Sequence, residues 1–340
     1  MSPSASTCRT LLLGVVVCGC ATKPAPKVAA KVEAALPAPR VEKMREPLEV
    51  TPLELIFSGR RGATKATESV SVKNSGSEAV QVSDLRVVGT HAATFRIADA
   101  PRLPAVLRPG ASLTFSVGFE PRADAEAGVH HARVRVVRTE DDDGPPCDLS
   151  ALVTKGKEQS DEPSLQQILE ALGYAVDVGS TALTLPKGAV IAGDEIKAPR
   201  FERAKPGSVG YYLVARYTSD EDSSFGYYLV DDKKPVTKGI GGADRGHHQT
   251  LNPELKSDSQ TSFDPGEAAF GLYLRVGKRT LYSDDTLNLG AEKHVARAYP
   301  LRSRGRTLVQ DAYVVAFDED NDRDFQDHVF MLWNVKVAPY

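Results

Sequence analysis

Short runs in which apolar and polar residues alternate one by one recur along this chain from residue 47 onward, and they limit what it can fold into. Leu53-Glu54-Leu55-Ile56-Phe57, Ser69-Val70-Ser71-Val72-Lys73, Ala79-Val80-Gln81-Val82, Ser112 to Phe119 and His131 to Val137 share the pattern. Side chains leave a strand on opposite faces in turn, so a period of two buries one face and wets the other. Asn74-Ser75-Gly76 and Pro109-Gly110 supply turns between the runs. About seven strands over some 100 residues, with turns at short spacing, predict an immunoglobulin-like sandwich over 47–155.

A polar stretch from Lys155 to Glu162 closes that region. Leu165, Ile168, Leu169 and Leu172 then fall on one face at helical spacing, and Gly173 stops the helix. Strand-like runs dominate from there on: Tyr211 to Tyr217, Phe225 to Val230, Ala269 to Leu274, His294 to Tyr299, Ala312 to Phe317 and His328 to Trp333. Antiparallel strands with aromatic interiors predict a second sandwich, jelly-roll-like, over 162–340. The class is therefore all-β, with two sandwiches in tandem. Phe225-Gly226-Tyr227-Tyr228 and Phe270-Gly271-Leu272-Tyr273 echo one another across this region.

The order of Val70-Ser71-Val72-Lys73-Asn74-Ser75-Gly76, Phe95-Arg96-Ile97, Leu107-Arg108-Pro109-Gly110 and Val117-Gly118-Phe119-Glu120-Pro121 resembles the Hydin-type, major-sperm-protein-like immunoglobulin domains of bacterial surface proteins. The resemblance covers most of 47–155 and implies a spacer or protein-contact module. Its motifs are structural and carry no chemistry.

Arg9, the apolar run Leu11 to Val17 and Cys18-Gly19-Cys20 read as an export signal over 1–19. The run is too short to span a bilayer, which takes about 20 apolar residues. Gly19-Cys20 resembles the end of a bacterial lipobox, which implies lipidation of Cys20; Ala21 after it favours the outer membrane or cell surface of a Gram-negative cell. Ordinary cleavage with soluble release is the alternative. Residues 20–46, rich in Pro, Ala and Lys without an aromatic residue, read as a tether. Of four cysteines, Cys8 and Cys18 leave with the signal and Cys20 is the anchor, so Cys147 stands alone as a partly buried, inert thiol.

The charge balance, 42 Lys+Arg against 45 Asp+Glu, gives no basic footprint for nucleic acid, so none is expected as a partner. One acidic run does stand out. Asp318-Glu319-Asp320-Asn321-Asp322-Arg323-Asp324-Phe325-Gln326-Asp327 crowds six carboxylates between two apolar strands. Like charges folded into one turn repel unless a cation neutralises them, and calcium takes 6–8 oxygen ligands in flexible loops. Alternate residues Asp318, Asp320, Asp322 and Asp324 turn the same way in an extended chain. The loop is no EF-hand, having Arg323 and Val329 where Gly and an acid are required. A hydrated acidic loop is the plain alternative. Phe325 inside the cluster is expected to tie it to the core.

Together with Tyr282-Ser283-Asp284-Asp285, His294-Val295 and the two FG motifs, this loop resembles the uncharacterised extracellular β-sandwich domains that end in a strand, an Asp-x-Asp-Phe-Asn-Asp loop and a last strand. The resemblance spans roughly 162–340 and implies calcium association at Asp318, Asp320, Asp322, Asp324 and Asp327. Gln326 stands where asparagine is usual and Lys293 where an aspartate commonly precedes the histidine, which leaves the role of His294 open.

Other acidic and histidine pairs fit turns and loops. Asp141-Asp142-Asp143 reads as a solvated loop, and Gly239-Ile240-Gly241-Gly242 followed by His247-His248 as a flexible surface loop. Glu195 and Asp285 are carboxylates for acid/base work on a polysaccharide if they face each other across a groove. The tyrosines of 211–228 are read as core, with sugar stacking as the alternative. No GxSxG, HExxH or P-loop occurs. The expected function is a lipid-anchored binding or scaffolding module, more a binder than an enzyme. Its calcium-stabilised terminal sandwich would contact an extracellular glycan or protein. A secreted carboxylate-dependent hydrolase is the alternative.

Overall fold

The computed structural model describes residues 46–139, 142–156, 161–188, 191–231, 234–290 and 292–339. The export signal over 1–19, Cys20, the tether up to residue 45 and Asp141 lie outside the described residues. No described helix is long and apolar enough to cross a membrane.

The first sandwich pairs a four-stranded with a five-stranded sheet. One runs Leu48–Thr51, Ala66–Asn74, Ser112–Phe119, Phe95–Ala98. The other runs Asp142–Asp143, Gly128–Thr139, Cys147–Thr154, Glu54–Arg60, with Asp84–Val88 also on Gly128–Thr139. The alternation in the sequence buries Val70, Val72, Phe115 and Val117 from one sheet against Val134, Val136, Leu149 and Ala151 from the other. Cys147 is fully buried and its thiol is pushed up to about 12 by desolvation, which makes it inert. The asparagine turn has a physical cause: the buried Asn74 amide donates to the Glu78 and Leu107 carbonyls and its oxygen accepts from the Gly76 amide. Asp142 and Asp143 correct the reading of a solvated loop. They form a short strand and pair with Arg138 at 3.2 Å and Arg135 at 2.5 Å.

The second sandwich consists of two six-stranded sheets. The outer one runs Lys234–Ala243, Ser223–Asp231, Phe270–Val276, Phe201–Arg203, Val335–Val337, with Arg279–Tyr282 also on Phe270–Val276. The echoing FG motifs are direct antiparallel neighbours here, Gly226 opposite Tyr273 and Tyr228 opposite Gly271. Each tyrosine ring lies over the other strand's glycine, where a Cβ would fall 3.0 Å from the Tyr273 ring or 2.2 Å from that of Tyr228. The glycine-rich run Gly239 to Gly242 belongs to the edge strand Lys234–Ala243 and is not a loop; without side chains it leaves no alternation to read.

The inner sheet runs Thr250–Leu251, Val209–Arg216, His328–Trp333, Leu308–Phe317, Ala296–Arg302, with Ser262–Phe263 on Val209–Arg216. It is buried on both faces. Phe317, Phe330 and Leu332 meet the outer sheet, whereas Val314, Ala316, Val329 and Met331 meet the helix Leu165–Ala171 and Leu152 of the first sandwich. Double burial is why His328 to Trp333 reads as an unbroken apolar run. Ser164 caps the helix through a reciprocal pair with Gln167, and Gly173 ends it at φ +82°.

Candidate metal centre and the adjoining pocket

The acidic loop joins Leu308–Phe317 to His328–Trp333 at the rim of the inner sheet. Its backbone is not extended. Asn321, Arg323 and Phe325 hold positive φ of 61°, 72° and 56°, a conformation that costs a non-glycine residue roughly 1–2 kcal/mol. This coiling selects which carboxylates meet. One oxygen from each of Asp318, Asp322 and Asp324 lies within 4.8 Å of the others. Asp318 and Asp324 are buried and Asp322 is half-buried. The Arg323 amide donates to Asp318 Oδ2 at 3.0 Å, while Asp318 Oδ1 is buried without a hydrogen-bond partner.

Two residues expected in the same set are placed elsewhere. Asp320 is exposed, 3.7 Å from Arg279, and Asp327 turns back beneath the loop to accept from the Glu319 amide at 2.5 Å. The alternation argument assumed an extended chain, and the left-handed residues break it. Burial, aggravated by Asp322, pushes Asp318 up to about 6 and Asp324 up to about 8. Burial and the neighbouring Asp322 both oppose ionisation of Asp318 and Asp324, so the loop disfavours their charge. The donors are all oxygens, which suits a hard divalent cation such as calcium.

Beneath the loop lies a second buried polar layer. Arg216 is fully buried and donates to the Asp244 carbonyl at 2.9 Å and the His247 carbonyl at 3.1 Å. Glu319 accepts from the hydroxyls of Thr218 and Ser219, and burial pushes it up to about 6. His328 is buried 3.5 Å from Glu319, and desolvation holds it well below its ordinary value.

Phe325 is buried as expected, and it links the loop to a different site. Its ring lies 4.5 Å from the Arg297 guanidinium. Arg297 is fully buried, ion-paired to Glu195, and donates to the carbonyls of Pro186 and Gly188. Glu195 also accepts from His294 Nε2 at 3.3 Å, and Asp285 accepts from His294 Nδ1 at 3.0 Å. Burial alone would depress His294; the hydrogen bonds to Asp285 and Glu195 outweigh it and raise the imidazole to about 9. Glu195 and Asp285, read from sequence as carboxylates across a groove, thus flank one imidazolium. With Arg200 and Asp284, paired at 2.9 Å, they line a cavity of about 450 Å³. A larger groove of about 1070 Å³, where the two sandwiches meet, has among its lining the ion pairs Arg302–Asp194 and Arg133–Asp148.

Arg297 is the residue that pattern reading passed over. The available signal was a charged side chain two residues from Val295 and Tyr299, in the apolar stretch that runs from Val295 to Leu301; such a position requires a buried counter-charge. His247 and His248 do not converge. His248 lies 3.2 Å from Asp220 and His247 3.5 Å from Glu254. Tyr211, Tyr217 and Tyr228 are core, while Tyr212 is exposed beside Trp333.

No family model matches the chain, and no curated protein matches it. Among solved structures it is similar to an ASH/PapD-like domain of human CEP192 at 14% identity, over 39% of this chain and 99% of that one, with a TM-score of 0.21. It is similar to the C. elegans major-sperm-protein family member WR4 at 8% identity, over 32% of this chain and 98% of that one, TM-score 0.22. A family 123 glycoside hydrolase from Clostridium perfringens matches at 10% identity and TM-score 0.24, over 34% of this chain but only 24% of the hydrolase. The chain therefore spans about a quarter of that enzyme's length. At such scores none of the three carries an argument about fold or activity.

Proposed function

We propose that this chain is an exported, lipid-anchored binding module whose terminal sandwich is completed by calcium and contacts an extracellular glycan or protein. The observations that carry the calcium reading are that one oxygen from each of Asp318, Asp322 and Asp324 lies within 4.8 Å of the others, and that Asp318 Oδ1 is buried without a hydrogen-bond partner among the described residues. A divalent ion held by these three groups would neutralise the loop and fix the turn between the last two long strands. The anchor at Cys20 and the outer-membrane or cell-surface address rest on the N-terminal sequence. The binding role rests on the architecture, two stacked sandwiches with a cavity on the terminal one. Against the hydrolase alternative, Glu195 is committed to the Arg297 ion pair and to His294 and is not placed as a free acid or base.

The test is a pair of thermal melts, in saturating calcium and in chelator. Binding at a hundredfold over Kd stabilises the native state by about 2.7 kcal/mol, several degrees of melting temperature. Identical melts in the two conditions would remove calcium from the proposal.

A further inference from the structure

The cavity beside His294 deepens this reading, on which it rests for placing a ligand on the terminal sandwich. We infer that this cavity is the binding site and that it takes a neutral saccharide. Its volume of about 450 Å³ lies within the range of roughly 300–1,000 Å³ typical of small-ligand sites. The charge order of its polar side is the informative feature. Arg200 pairs with Asp284 at 2.9 Å, His294 bridges Asp285 at 3.0 Å and Glu195 at 3.3 Å, and Glu195 is ion-paired to Arg297. Groups of both signs line the cavity together, the exposed Lys197 included. An anionic ligand entering here meets Asp284, Asp285 and Glu195, and a cationic one meets Lys197, Arg200, His294 and Arg297. Either must be desolvated against a like charge.

A neutral ligand with donors and acceptors on adjacent atoms fits both signs at once. Vicinal hydroxyls have that character, since each oxygen donates once and accepts twice. Asp285 is partly exposed and keeps carboxylate lone pairs beyond those that face His294; Arg200 directs Nε and Nη2 to Asp284 and carries further donors in its fork. The lining also includes the aliphatic side chains of Ile196, Ala198, Pro199, Ala298, Val315 and Pro339. A lining that mixes hydrogen-bonding groups with aliphatic carbon suits a sugar ring, which carries both hydroxyls and C–H surface.

The experiment is saturation-transfer NMR on the full chain in saturating calcium. The probes are maltopentaose, cellopentaose, xylopentaose and N-acetylchitopentaose, beside an oligogalacturonate, a chitosan oligomer and a neutral peptide. At least one neutral oligosaccharide should receive saturation, and the charged ones should not. Asp285→Asn and Arg200→Gln, each shown folded by its melt, should weaken that binding at least tenfold. Transfer to none of the neutral sugars, preference for a charged oligomer or the peptide, or binding unchanged in both variants would overturn the inference. The calcium melts are a separate readout, so sugar binding without a calcium response would sink only the metal reading, and the converse only this one.

Discussion

Two clusters of carboxylates lie on the terminal sandwich, and they differ in who supplies the positive charge. Around Glu195 and Asp285 the chain brings its own cations, Arg297 and His294, and the site is closed electrostatically. In the loop from Asp318 to Asp324 three carboxylates converge, burial pushes Asp318 and Asp324 upward, and the positive charge is the one we propose calcium to supply. Phe325 stands between the two, seated in the acidic loop with its ring against Arg297. The same residue types therefore give a cluster paired within the chain in one place and, in the other, three converging carboxylates that we propose an external ion completes.

The largest effect is expected at the cluster paired within the chain. Arg297→Ala leaves Glu195 buried without its ion-pair partner, and breaking such a pair on one side costs about 3–5 kcal/mol. Urea unfolding should show that loss equally with calcium and with chelator; a loss that calcium repairs would mean that the two clusters are not distinct. His294 gives the next effect. Its folded value, about 9, lies above the ordinary imidazole value of 6.5, so its contribution is fully present below pH 6.5 and is lost as pH rises through 9. At 1.36 kcal/mol per unit of pKa the decline amounts to roughly 2–3 kcal/mol between those limits. Stability measured from pH 6.5 to 10 should fall more steeply in the parent than in His294→Gln; parallel curves would contradict the bridge. Asp320→Asn should have the smallest effect. This carboxylate is outside the converging three, so its removal should change stability by no more than about 0.5 kcal/mol and leave the calcium response intact.

Much of the fold was legible because one physical rule, burial of one strand face, writes itself directly into the sequence. Ser112–Phe119 was readable to the residue, and the helix Leu165–Ala171 followed from four leucine and isoleucine positions. The strand Lys234–Ala243 was not, because glycines pair through their backbone and carry no alternation. In the acidic loop the composition pointed to a cation, but the period-two rule put Asp320 in the set and the family resemblance put Asp327 there, and neither joins the three converging carboxylates. Positive φ is readable at Asn321, a residue type that favours it, but at Arg323 and Phe325 it is a tertiary property of this turn that neither residue type announces. The role of Arg297 was hidden for a related reason: its partners Glu195 and Phe325 lie 102 positions before and 28 positions after it in the chain.

Calcium titration by calorimetry, on the parent chain and on Asp318→Asn/Asp324→Asn, addresses the contrast between the clusters most directly. The parent should bind one ion and the double variant none, while the variant, relieved of its buried charges, should be at least as stable in chelator as the parent is. Equal calcium binding by both proteins, or none by either, would contradict the assignment of the loop as a cation site.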